Sequence, residues 1–305
     1  MLYLVILLYA IFGFTFTLGK IVLFYSTPFF VVFIRMTIGG LLLGSYVAWY
    51  HRVSVLHARK DLWLYLQFIF FNICIFYGAR SWALAPEQGL STGKAALLMN
   101  LSPFFTALFA YFFLREKLTT YKIIGLIIGF AGMIPVALSK STLAQASCGG
   151  VLSFSTPELV FVGAVACLSY SMIVMQQLVR HRGLSPLLVN AVCMLTGGIA
   201  MGGVSFGLHE QMIIGDPVLF WSVIILQIVA SNILCANLQA FLLKHYSTTF
   251  MSFASFISPL FASLYGALLL NEVITWHFFA SFFIVILGLS IFYFDDIRQG
   301  KFVVS

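Results

Sequence analysis

Four cations stand in long apolar stretches where an ionised side chain has no obvious solvent. Lys20, Arg35, Arg80 and Lys94 each fall inside or at the edge of such a stretch, and a charge at the centre of a bilayer costs about 2.5 to 3.5 kcal/mol on insertion scales. Each therefore needs a counter-ion, a wet cavity or a route to the interface. Acids do not supply the counter-ions on this reading, because Glu87, Glu158, Glu210, Asp216 and Glu272 all map near outer ends of the apolar stretches. A basic cavity without acids invites an anionic ligand, so Lys20, helped by Arg35 or Lys94, is expected to face a carboxylate or phosphate. Gly13, Thr17 and Lys20 share one helical face, which leaves a narrow polar stripe. The alternative has Arg80 snorkelling outward, with Lys94 and Arg35 bonded to exposed carbonyls.

Amides and rings complete the set. Gln176 stands 156 residues after Lys20, and Asn232 lies in a run that also carries Gln227, Ser231, Asn237 and Gln239. Phe16, Tyr77, Phe105, Tyr170 and Phe256 are placed to line a cavity and stack a planar base. Catalytic patterns are missing: there is no HExxH, no paired His/Asp cluster and no serine nucleophile elbow. Ser91 to Lys94 reads STGK, but the early glycine and the Ser/Thr after the lysine of a phosphate loop are absent. The five cysteines have neither disulfide nor zinc spacing, so neither a metal nor a cofactor is expected.

The elements that position these residues follow from composition. The chain is 62% hydrophobic and only 8% charged, too few charges to build a water-facing surface. About ten apolar runs approach the length of roughly 20 residues needed to span a bilayer: 2–24, 28–49, 62–84, 88–112, 119–138, 157–179, 186–207, 217–241, 247–270 and 275–294. Runs 3 and 4, and 8 and 9, adjoin closely enough to leave a total of nine open. With the N-terminus inside, Arg52, Arg59, Lys60, Arg115, Lys117, Lys122, Arg180, Arg182, Lys244, Arg298 and Lys301 fall on the cytoplasmic side and only Lys140 opposite. The positive-inside rule thus accounts for the net charge of +7 without nucleic acid, and both termini are expected in the cytoplasm. Met1 leads into apolar sequence with no basic leader, so the first run is expected to stay in the protein.

One peptide occurs twice. LSPFFTALFAYFFLREKLT from Leu101 and ISPLFASLYGALLLNEVIT from Ile257 match at Ser102/Ser258, Pro103/Pro259, Phe105/Phe261, Leu108/Leu264, Leu114/Leu270, Glu116/Glu272 and Thr119/Thr275, all at an offset of 156. A repeat of five spans is odd, so the second copy must cross the membrane in the opposite sense. The expected fold is an all-α polytopic membrane protein with ten transmembrane helices in a 5+5 inverted repeat. Its units are 1–138 and 157–305, the latter with a short cytoplasmic tail, joined by an outer loop at 139–156. Inverted repeats let a carrier open one central site to alternate sides. Pro103 and Pro259 lack an amide hydrogen, so Ser102–Pro103 and Ser258–Pro259 are expected to interrupt helices beside the pathway. Glu116 and Glu272, near span ends, are expected to cap or orient helices.

The stretch ALAPEQGLSTGKAALLMNLSPFFTALFAYFFLREKLTTYKIIGLIIGFAGM resembles the core of an EamA-type domain of the drug/metabolite transporter superfamily. FGFTFTLGK followed by PFFVVFIRM, with Lys20 and Arg35, resembles that family's first two spans, and SPLFASLYGALLLNE carries the likeness into the second half. The resemblance implies ten spans in two EamA units and transport of a small metabolite. Some members carry S-adenosylmethionine, so an amino acid or a nucleoside-like amino acid of that kind is the expected substrate. Without a mid-span carboxylate, exchange or facilitated movement is expected over proton coupling. A proton-driven exporter of amino acids or drugs is the alternative, and a membrane enzyme or a channel or scaffold is the alternative of another class. The expected partners are the substrate and the lipid bilayer, with homodimerisation open, and the expected place is a bacterial inner membrane.

Overall fold

The computed structural model describes residues 2–50, 61–90, 92–114, 119–132, 155–246, 251, 254–255, 257–270, 276–292 and 294. Glu116, Glu272, Phe256, most of the 139–156 loop and the tail after 294 lie outside the described residues, as do most of the basic loop residues. The described elements are all helical. They are α1 Leu2–Val22, α2 Pro28–Tyr50, α3 Leu62–Leu84, α4 Thr92–Leu98, α5 Ser102–Leu114, α6 Thr120–Ala131, α7 Thr156–His181, α8 Pro186–Gly207, α9 Pro217–His245, α10 Ile257–Leu270 and α11 Trp276–Phe292.

Among them α1, α2, α3, α7, α8 and α9 are each long and apolar enough to cross a membrane. A helix satisfies its own backbone, which lipid cannot do for it. Its free ends need other partners, and the sequence supplies them. Proline opens α2, α8 and α9, where its missing N–H costs nothing. Asp216 accepts from the Val218 amide at 2.8 Å ahead of α9. Large apolar side chains such as Trp49, Ile127, Leu268 and Phe283 point outward and stay exposed, as lipid contact requires.

Three helices are not α-helical throughout. Wide π-helical turns occupy Ile69–Tyr77 in α3, Gln177–His181 in α7 and Ile228–Cys235 in α9. Such turns concentrate at functional positions, and those of α3 and α9 fall on overlapping stretches when one half is shifted by 156 residues.

The same shift carries α1, α2 and α3 onto α7, α8 and α9, α5 onto α10 and α6 onto α11, within a few residues. Contacts follow that correspondence. α1 packs on α10 as α7 packs on α5, α2 touches α9 as α8 touches α3, and the equivalent helices α2 and α8 lie against one another. The α2–α8 contact is close because it is made by glycines: a Cβ on Gly40 would stand 2.5 Å from the Leu195 amide nitrogen, and one on Gly198 2.7 Å from that of Thr37. Polar loops tie the same pair at one end. Glu210 accepts from Ser205 Oγ at 2.8 Å and from the Phe30 amide at 2.9 Å, and the Ile214 amide donates to the Tyr25 carbonyl at 3.0 Å.

Candidate binding site

A cavity of about 100 Å³ lies between α1, α3, α7, α8, α9 and α10, and its walls come from both halves of the chain. Phe12, Phe16, Phe76 and Tyr77, with Met172, Met175, Met194 and Ala236, make up much of the apolar lining. The polar groups set into this lining include Tyr9, Asn72, Arg80, Asn190, Gln239 and Ser258. Its volume suits a few waters and is smaller than a ligand of nucleoside size occupies. The methionines and rings are the adjustable parts, since a methionine side chain has three soft torsions.

Several polar members are already held. Tyr9 donates to the Met251 carbonyl at 2.5 Å, Asn72 donates to Ser171 Oγ at 2.9 Å, and Asn190 donates to Asn237 Oδ1 at 2.9 Å. These bonds fix the wall in place. The two arginines are not held in this way. Arg35 is 2% exposed and Arg80 6% exposed, and in both the Nε and Nη2 atoms have no hydrogen-bond partner. Each guanidinium lies flat on a ring, Arg35 over Tyr77 with its carbon 4.6 Å from the centroid and Arg80 over Phe16 at 4.1 Å. Cation–π contact of this kind recovers part of the desolvation cost through one face and leaves the N–H edge unused.

Buried, unsatisfied polar atoms gather in the same part of the fold. Thr17 Oγ1, Gln227 Oε1, Asn232 Oδ1, Asn100 Nδ2 and Ser258 Oγ are also unpartnered. An orphaned buried group costs about 1 to 3 kcal/mol, and native structures keep few of them. Of these, Arg80 and Ser258 line the cavity, and an unsatisfied guanidinium and hydroxyl on its wall mark a place that a polar molecule completes.

The residues singled out from the sequence divide between cavity wall and surroundings. Phe16, Tyr77, Ser102 and Ser258 line the cavity. Lys20, Arg35, Lys94, Gln176, Asn232 and Tyr170 are not among its lining residues. Lys20 is half-buried near the end of α1, and Gln176 is buried in α7. Asn232 turns its Nδ2 toward the sulfurs of Met36 and Met194, at 3.1 and 3.7 Å. Tyr170 lies in a separate apolar groove with Trp63, Phe70, Phe71, Phe109 and Phe113.

Two readings of the charges need correction. Glu158 is not an idle acid at an outer end: it is 5% exposed, forms an ion pair with Lys94, and accepts from the Ser155 amide at 3.1 Å at the start of α7. The counter-ion that seemed to be lacking comes from another helix. Arg80 does not snorkel outward, because α3 carries it into the bundle against Phe16.

The two Ser-Pro pairs open helices. A 3₁₀ turn at Met99–Leu101 separates α4 from α5, so Pro103 is the second residue of α5. Pro259 is the third residue of α10, and the Ser258 amide donates to the Ser255 carbonyl at 2.9 Å. A proline in a first turn removes no intrahelical bond. Each pair meets the first helix of the opposite half. Ser169 of α7 donates to the Ser102 carbonyl at 3.0 Å, and a Cβ on Gly13 of α1 would be 2.9 Å from the Ser258 carbonyl. Gly13 and Ser169 are themselves 156 residues apart.

Tyr9, Asn72, Arg80, Ser171, Asn190 and Ser255 are polar cavity residues that sequence reasoning left out of the site, and Gln239 entered it only as a neighbour of Asn232. For Arg80 the signal was its charge in an apolar run, and for the amides it was their polarity within such runs.

Comparison with known proteins adds a class to this geometry. The sequence model of the EamA-like transporter family matches residues 1–138 and again residues 155–294. A protein of Chlamydia muridarum named as an S-adenosylmethionine/S-adenosylhomocysteine transporter is 30% identical over 290 residues, covering 94% of this chain and 89% of its own. A protein of the same name from Chlamydia trachomatis serovar D is 29% identical over 294 residues, covering 95% and 88%. An uncharacterised transporter of Archaeoglobus fulgidus is 24% identical over 287 residues, covering 92% and 93%. A solved crystal structure superposes with a TM-score of 0.68, covering 97% of this chain and 96% of the other at 17% identity, which shows a shared fold.

Proposed function

The chain belongs to the EamA-like transporter family, an integral membrane transporter and not an enzyme, and on that premise we propose that it exchanges S-adenosylmethionine-type metabolites across the membrane by alternating access. The observation that carries the reading is the cavity between the halves, lined by rings and methionines with two unsatisfied guanidiniums on or beside its wall. A nucleoside-linked amino acid offers a complement to each part. Its base stacks on aromatic faces, and a positive sulfonium is attracted by the same π surfaces without a carboxylate. Its amino-acid end brings the anion. The curated relatives named for this substrate pair span nearly the whole chain.

The architecture we assign is ten spans in two inverted units, 1–138 and 157–305, joined by 139–156. Both termini lie in the cytoplasm of a bacterial inner membrane. Reciprocal packing of α1 on α10 and of α7 on α5 supports that assignment. In a pair of inverted units, each half can take up the other's conformation, which opens one site alternately to the two sides. No Asp or Glu lines the cavity among the described residues, which favours exchange over proton coupling.

Counterflow tests this reading. The purified protein is placed in liposomes loaded with unlabelled S-adenosylhomocysteine, and entry of radiolabelled S-adenosylmethionine is followed. Saturable entry, faster into loaded than empty vesicles and indifferent to a protonophore, is the expected result. Entry that does not saturate and ignores the load points to a channel. Entry that collapses with the proton gradient points to the proton-driven alternative.

A further inference from the structure

Among the fully buried side-chain atoms without a hydrogen-bond partner are Nε and Nη2 of Arg80, which share one edge of its guanidinium. Nε and Nη2 point the same way and lie at the spacing that meets both oxygens of a carboxylate side-on. Arg35 is left with the same two atoms free. Both flat faces are engaged or buried, by Phe16 under Arg80 and by Tyr77 against Arg35. Tyr77 and Arg80 are about one turn apart on α3, so the ring against Arg35 and the guanidinium of Arg80 belong to adjacent turns of one helix. Two cations held together without a described counter-ion, in a region with several other orphaned polar atoms, form an anion site that lacks its anion.

Arg80 lines the cavity, whereas Arg35 stands behind the wall. A third group completes the arrangement. A Cβ on Gly19 would be 3.0 Å from Gln227 Nε2 and 3.7 Å from Arg80 Nη2, so the amide and the guanidinium meet over that glycine. Gln227 is 1% exposed and its Oε1 accepts no hydrogen bond. The Gln227 atom on that side is its Nε2 donor, so the amide N–H and the guanidinium both suit an anion.

We propose that Arg80 binds the carboxylate of the substrate's amino-acid end through its guanidinium, with Arg35 as the second positive charge and Gln227 Nε2 as a neighbouring donor. The assignment rests on the transport reading above, since it presumes a substrate with an amino-acid head. It differs from what the sequence suggested by moving the anion contact from Lys20 to Arg80.

The test compares substrates with and without the carboxylate. In counterflow, the wild-type protein is expected to prefer S-adenosylmethionine over its decarboxylated form by about 10- to 100-fold, the range for a charged hydrogen-bonded pair. Arg80→Gln is expected to lose that preference, while competition by 5′-methylthioadenosine, which has no amino-acid head, changes less than about twofold. Arg80→Lys keeps the charge without the two-donor edge and is expected to restore only part of the preference. A preference that survives intact in Arg80→Gln overturns the assignment and leaves the transport reading standing. If wild type exchanges none of these compounds, the transport reading falls, and the anion site is judged by thermal stabilisation of the purified protein. L-Methionine must then stabilise wild type more than methioninol does, and an equal effect overturns the site. Should Arg80→Gln fail to fold, the wild-type preference is read together with Arg35→Gln, and loss of neither charge dependence nor affinity in that variant overturns the paired-arginine site.

Discussion

The two halves of this protein share a backbone plan and differ where their side chains reach the cavity. At the offset of 156, Arg35 corresponds to Ala191, Arg80 to Ala236, Phe16 to Met172 and Tyr77 to Ile233. Phe16, Tyr77 and Arg80 line the cavity from the first half, and Ala236 and Met172 line it from the second. One half supplies charge and rings, the other small and flexible side chains. By contrast, the Ser-Pro pairs and their partners Ser169 and Gly13 repeat at helix contacts. Positions kept alike hold contacts between helices, and positions that diverged give the two halves different cavity side chains.

Substitutions can break or sharpen that contrast. The largest effect belongs to a charge that serves the scaffold. Glu158→Gln removes the carboxylate of the Lys94 pair and is expected to cost about 3 to 5 kcal/mol, seen as a lower unfolding midpoint in detergent. Replacing both partners together, Lys94→Met with Glu158→Leu, is expected to recover most of that stability and keep exchange, which would separate Lys94 from the recognition charges. Next comes the ring beneath Arg35. Tyr77→Leu removes a cation–π platform worth up to about 2 kcal/mol when desolvated, and exchange is expected to fall about 10- to 30-fold, with Tyr77→Phe near wild type. Gln227→Leu is expected to weaken S-adenosylmethionine competition by about 2- to 10-fold, the net worth of one ordinary hydrogen bond. The smallest effect is at Tyr170, whose groove is apart from the cavity: Tyr170→Phe is expected to leave exchange within about twofold. A large loss there would join the groove to the pathway and spoil the division between the two regions.

Much of the helical framework was legible in the residues. Apolar length announced the six long helices, and the repeated Ser-Pro peptide marked two helix starts that meet opposite halves. Phe16, Tyr77, Ser102 and Ser258 reached the cavity from composition and spacing alone. The ion pair was not legible, because nothing local ties Lys94 to Glu158; only the packing of α4 on α7 does so. Arg80 was misjudged because a cation near a span end has two exits, to the interface or into the bundle, and the choice depends on which way α3 faces. The turn of the Asn232 donor toward two methionine sulfurs was not legible either, since no local pattern ties Asn232 to Met36 or Met194.

Residues Asn72, Phe76 and Arg80 all line the cavity at intervals of four. On an ordinary α-helical wheel each such interval drifts about 40° around the axis, so Arg80 would stand about 80° away from Asn72. Across Ile69–Tyr77 the hydrogen bonds run to the fifth residue instead, each turn holds more than four residues, and the reversed drift from Asn72 to Phe76 offsets that from Phe76 to Arg80, which ends in ordinary α-helix at Gly78–Leu84. The three side chains consequently form a column nearly parallel to the helix. The pitch of one stretch of α3 thus decides whether the arginine and the amide look at the same molecule. Tightening it to ordinary pitch would rotate the charge out of that column with no change of sequence and no movement of the helix ends in the plane of the bilayer.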